Sequence, residues 1–161
     1  MNVTEILAKP LAQELLHGPV PARFAYTGRD GGPRVVPLAF WWTGSQIQVF
    51  TVPTSAKVAA LQADPRVAIT IDPQGGWPPQ ALLIRGNASI DIVNGVPDEY
   101  VEASRRIIPA EEMPAWEAGV RSLYQQMARI TVQPTWAKLL DFETTIPKAV
   151  EDLIKSHADR Q

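Results

Sequence analysis

Residues 49–66 read Val-Phe-Thr-Val-Pro-Thr-Ser-Ala-Lys-Val-Ala-Ala-Leu-Gln-Ala-Asp-Pro-Arg, and no other stretch gathers so many chemistry-bearing types. Alternation through Thr51 predicts the end of a strand. Thr54 and Ser55 are both able to cap a following helix. Lys57 then falls in the first helical turn. Cations are favoured at the opposite end of a helix, so a lysine here is locally unfavourable until an anion arrives. Free first-turn amides, two hydroxyls and an ammonium are the donor set of a phosphate site. Arg34, at the start of an expected neighbouring strand, offers a second cation. The same residues also read as an ordinary cap beside a solvated lysine, and spacing alone leaves both readings open.

Nothing else in the chain offers a catalytic constellation. There are no cysteines, which excludes disulfides, thiolate zinc sites, iron–sulfur clusters and a cysteine nucleophile. The two histidines, His17 and His157, are far apart, and no metal site is expected. Asp98-Glu99 and Glu111-Glu112 fall at expected helix starts, where acids suit the dipole. Ser104 and Ser122 lack a base at motif spacing, against a Ser/His/Asp hydrolase. Gly31-Gly32 and Gly75-Gly76 read as hairpin and loop glycines, outside any dinucleotide or P-loop pattern. A formal net charge of −2 gives no general pull toward nucleic acid or an anionic membrane. No apolar run reaches the roughly 18 residues of a membrane helix, and the first residues lack a signal-peptide pattern. The expectation is a cytoplasmic protein without nucleic-acid or membrane partners.

The elements that must position these residues follow from periodicity and punctuation. Thr4 is expected to cap a helix through about residue 17, kinked or split at Pro10. Strands are expected over 22–28, 34–42 and 46–52, with Asp30-Gly31-Gly32 as a hairpin turn. A short helix over 55–63 ends at Asp64-Pro65. Strands follow over 66–72 and 80–93, with Gly86 as a bulge or corner. Helices are expected over 97–107 and 111–128, the second presenting Met113, Trp116, Val120, Leu123, Tyr124 and Met127 on one face. Strands over 129–134 and 136–142 and a helix over 147–157 finish the chain. Six or seven strands with a helix between the third and fourth suggest one mainly β (α+β) domain over 1–161, an antiparallel barrel decorated by helices. Flanking helices 2–17 and 147–157 would bracket a barrel of residues 20–142. The large apolar residues Phe40, Trp41, Trp42 and Phe50 look like a surplus that a small barrel must bury against a second copy. Trp77, in the loop 73–79, reads as interface, lid or ordinary packing.

Five pieces in register resemble one family. Arg34-Val-Val-Pro-Leu, Val49-Phe50-Thr51, Ser55-x-Lys57, Leu61-x-x-Asp64-Pro65-Arg66-Val67 and Leu83-Ile84-Arg85-Gly86-Asn87-Ala88 look like the pyridoxamine 5′-phosphate oxidase-like, FMN-binding split barrels, within the flavin/deazaflavin-dependent oxidoreductase superfamily. The resemblance spans about residues 20–142. It implies a homodimeric split barrel with two cofactor sites at the interface. FMN, or alternatively the deazaflavin coenzyme F-420, would be the cofactor. Ser55 and Lys57 would hold its phosphate, helped by Arg34. Val35, Val36, Pro37, Leu38, Phe50 and Thr51 would lie along the ring system. Trp136 would approach the cofactor from the last strand, and Trp77 would cover it.

The departures bear on the substrate. Where the vitamin B6 oxidases carry an arginine before the lysine and a lysine after the first strand, this chain has Ala56 and Ala39. The stretch Pro134-Thr-Trp136-Ala-Lys138-Leu lacks their substrate-phosphate residues. The expectation is therefore a flavin- or deazaflavin-dependent oxidoreductase acting on a small organic molecule other than pyridoxamine phosphate. The cofactor carries the hydride, so no catalytic side chain is required. A non-catalytic flavin carrier of the same fold is the alternative. A haem-binding relative ranks last, for want of an axial histidine.

Overall fold

A computed structural model describes residues 1–160. Two short helices open the chain, α1 (Val3–Leu7) and α2 (Pro10–His17). The cap of α1 is Asn2, not Thr4. Its side chain accepts the Glu5 amide at 2.9 Å while the Glu5 carboxylate accepts the Asn2 amide at 2.9 Å, a reciprocal pair that Thr4, inside the first turn, has no partner to make. Pro10 starts α2, where its missing N–H costs nothing.

Seven strands form one antiparallel sheet: β1 (Ala22–Thr27), β2 (Pro33–Leu38), β3 (Trp41–Trp42), β4 (Ile47–Thr51), β5 (Arg66–Ile71), β6 (Ala81–Asn94) and β7 (Gln126–Leu140). Their order is β2-β1-β5-β6-β7-β4-β3. The remaining helices are α3 (Ala56–Ala63), α4 (Asp98–Arg105), α5 (Met113–Leu123) and α6 (Lys148–Ala158).

The single strand expected over 34–42 is two strands at opposite edges of the sheet, joined by Ala39-Phe40. The apolar run is continuous, but β2 pairs with β1 and β3 pairs with β4. The two strands expected over 129–142 are one, because a bulge absorbs the irregularity. Gly86 of β6 faces Pro134 while Arg85 faces Trp136, leaving Thr135 as the extra residue. A Cβ at Gly86 would collide with the Gln133 carbonyl oxygen and lie 2.8 Å from Val132 Cγ1. The helix expected through 128 stops at Leu123, since Gln126–Ala128 are taken up by the ladder with β6. Met127 is buried as a strand residue, and Leu123 is exposed.

Period-two alternation then sorts the strands. Phe24, Ile69, Ile84, Val49 and Ile130 turn inward and meet Leu15, Leu16 and Leu61 from the helices. Each such side chain contributes about 1.5–3 kcal/mol by leaving water. Phe40, Trp42 and Phe50 are 3%, 5% and 6% exposed within one chain, so they are core and not the surplus expected at an interface. Helix α6 buries none of its residues. No helix among the described residues is long and apolar enough to cross a membrane.

Candidate functional site

The turn after β4 builds the first turn of α3. The Ser55 amide donates to the Val52 carbonyl at 3.0 Å, closing the turn. Ser55, with extended backbone, is the N-cap, and its hydroxyl oxygen accepts the Lys57 amide at 3.3 Å. Lys57 is half-buried and forms no ion pair among the described residues. Burial pushes its ammonium below the ordinary lysine value of 10.5. Two effects thus oppose the charge, desolvation and the positive end of the helix. An anion at this turn relieves both, which is the condition for an anion site.

Arg34 is held differently. The β1–β2 turn places Gly31 at φ +81°, a conformation that favours glycine. Asp30 then accepts the Gly32 amide at 2.9 Å and the Arg34 guanidinium at 2.8 Å. The Arg34 hydrogen bond, seconded by the Gly32 amide, holds the Asp30 carboxyl below its usual range. Arg34 lines a depression of about 260 Å³ together with Ala56 and Ala60 on one face of α3. Lys57 is not part of that lining. The structure therefore brings Arg34 to the start of α3, but already paired with Asp30 and beside a different helix face from Lys57.

The remaining residues singled out by sequence divide between core and surface. On edge strand β2, Val35 is 65% exposed, while Val36 and Leu38 pack against the core and Pro37 is exposed. Thr51 is half-buried at the end of β4. The Phe50 ring turns into the chain and packs against Tyr100, with centroids 5.6 Å apart, and Tyr100 packs in turn on Trp116. Trp77 is 90% exposed between β5 and β6, which removes the ordinary-packing reading within one chain.

Trp136 lies on the outer face of the sheet. Val35, Ala25, Ala68, Arg85 and Trp136 are successive cross-strand partners over five strands. The Arg85 guanidinium stands 4.3 Å from the centre of the Trp136 ring. Arg85 was not singled out from sequence. The available signal was a charged residue at an outward position of the apolar run Leu82-Leu83-Ile84, but its meaning depends on partners remote along the chain.

The family model for pyridoxamine 5′-phosphate oxidase matches residues 8–137. No curated protein matches the chain. Among solved structures, an F420 reductase superposes with a TM-score of 0.58 at 24% identity, covering 78% of this chain and 94% of that one. A conserved hypothetical protein from Mycobacterium tuberculosis gives a TM-score of 0.61 at 15% identity, covering 93% and 99%. An FAD-binding protein from Mesorhizobium loti gives 0.52 at 17% identity, covering 86% and 94%. At these identities the structures share the fold.

Proposed function

Since the chain belongs to the pyridoxamine 5′-phosphate oxidase family, we propose that it binds a phosphorylated flavin-type cofactor, FMN or coenzyme F-420, and acts as an oxidoreductase on a small organic substrate. The observation that carries this reading is Lys57, a half-buried ammonium in the first turn of α3 with no ion-pair partner among the described residues. The donor set fits a phosphate: the Lys57 ammonium, the Ser55 hydroxyl and the first-turn amides. When bound, such a cofactor supplies hydride transfer. The chain's own part is to anchor the phosphate, present the β2 edge to the ring system and exclude water with Trp77 and Trp136. That an F420 reductase and an FAD-binding protein share the fold is consistent with either cofactor.

The split-barrel reading draws support from the link between the sheet edges. Leu38 ends one edge strand and Trp41 begins the other. Three Cα steps reach at most about 11 Å, whereas six strand spacings of a flat sheet take roughly 29 Å. The sheet must curl for Ala39-Phe40 to join them. A homodimer with the cofactor at its interface is proposed on different residues from those expected: Val35 and Trp77, and Val150, Leu153 and Ile154 of α6, are exposed apolar groups that a second copy would cover. Arg29 and Arg34 both line the depression beside Ala56, so the case against pyridoxamine phosphate as substrate rests on Ala39 and Ala56 and on the stretch 134–139.

Separate fluorescence titrations of the purified protein with FMN and with F-420 test the reading. Saturable binding of one, weakened by Lys57→Ala, is expected. Failure to bind either overturns it.

A further inference from the structure

Arg85 forms no ion pair among the described residues, unlike Arg23, Arg34, Arg66, Arg105, Arg121 and Arg129. Alternation along β6 sends Leu82 and Ile84 into the core and Arg85 to the outer face. There its guanidinium is stacked on Trp136. Stacking orients the planar fork and removes water from one of its faces, while its N–H edge stays open to an acceptor. The cross-strand neighbour on the other side is Ala68, followed by Ala25, and these short side chains leave a depression of about 380 Å³. Arg34, paired with Asp30, and Arg66, paired with Asp64, stand on its rim, and no acidic residue among the described residues lines it. Arg66 gives Nε and Nη2 to Asp64, which leaves Nη1 free. A fixed, unspent guanidinium over a small-residue floor, with two further guanidinium groups at the rim, is the arrangement that recognises a planar or tetrahedral oxyanion.

We propose that this depression is an anion subsite, distinct from the Lys57 turn, in which Arg85 receives a carboxylate or phosphate group as a bidentate partner while Trp136 holds the guanidinium in place. The chemistry fits two sources: an acidic group of the substrate, or a second acidic group of the cofactor. Arg34 and Tyr26 line both this depression and the one beside Ala56 and Ala60 of α3, so the two depressions adjoin.

Calorimetric titration with citrate, and separately with inorganic phosphate, tests the subsite in the purified protein. One site per chain that persists in Lys57→Ala is expected for at least one of the two anions. Arg85→Gln should weaken that binding about tenfold or more, and Arg85→Lys should recover little of it, because an ammonium lacks the fork. Anion-induced change in tryptophan emission should disappear in Trp136→Phe. Arg105→Gln, on α4 and remote from the depression, should bind as the wild type does. Lys57→Ala should lose cofactor affinity yet keep the anion, so failure here and failure of the cofactor reading are separable. Repeating the titration on cofactor-loaded protein assigns the source: retained anion binding points to the substrate, and lost binding to a group of the cofactor. The proposal is overturned if neither anion binds, if Arg85→Gln binds like wild type, or if Arg105→Gln weakens binding equally.

Discussion

Lys57→Ala should weaken binding of the phosphorylated cofactor by about 10- to 150-fold. A hydrogen bond to a charged group contributes about 1.5–3 kcal/mol, and every 1.4 kcal/mol or so is a factor of ten. The upper half of the range is expected, because Lys57 has no carboxylate among the described residues to release before it meets the phosphate. The ligand-free protein should respond in the opposite sense. Burial and the helix N-terminus both oppose the ammonium, and alanine is the best helix former, so the melting temperature of the apo variant should not fall. The pH dependence follows from the same cause. The folded value lies below 10.5, so the cost of the buried charge is present in full at lower pH and lifts as pH rises toward 10.5. Binding an anion requires the protonated form and raises its value. Cofactor affinity should therefore fall as pH rises toward 10.5, and Lys57→Arg should abolish most of that decline. Quenching of cofactor fluorescence, titrated from pH 7 upward, is the assay. Equal affinities for wild type and Lys57→Ala would refute the anchoring role, and a strongly destabilised apo variant would make Lys57 structural.

Trp77→Ala should leave apo stability within about 0.5 kcal/mol, as exposed positions do, while changing cofactor fluorescence or substrate KM; unchanged values of both would remove Trp77 from the site. Gly86→Ala should cost roughly 1–3 kcal/mol in urea denaturation, because the new methyl meets the Gln133 carbonyl of the paired strand. A denaturation midpoint equal to that of wild type would contradict the close approach of β6 and β7.

Elements governed by local pattern were legible in the sequence. The cores of β1, β4, β5, β6 and α3 lie within a residue or two of their expected bounds, since alternation and the Gly, Pro and Asp punctuation beside them act over short range. The break at Ala39-Phe40 was hidden because nothing local marks it. It arises when β2 and β3 choose partners at opposite edges. Likewise Pro134 suggests a boundary, but β6 supplies a bulge that accommodates it. In the site, the Ser55 cap and the placement of Lys57 follow from adjacent residues. The pairing of Arg34 with Asp30 needed the turn geometry, and the setting of Arg85 needed Ala68 and Trp136 from two other strands.

The central claim, a phosphorylated flavin-type cofactor held between two copies of this chain, is tested most directly by a native mass spectrum of the purified protein. The expected spectrum shows a particle of two 17.7 kDa chains carrying two added masses that match FMN or F-420 and are released on denaturation. A single bare chain that takes up neither cofactor when each is supplied in excess would contradict it.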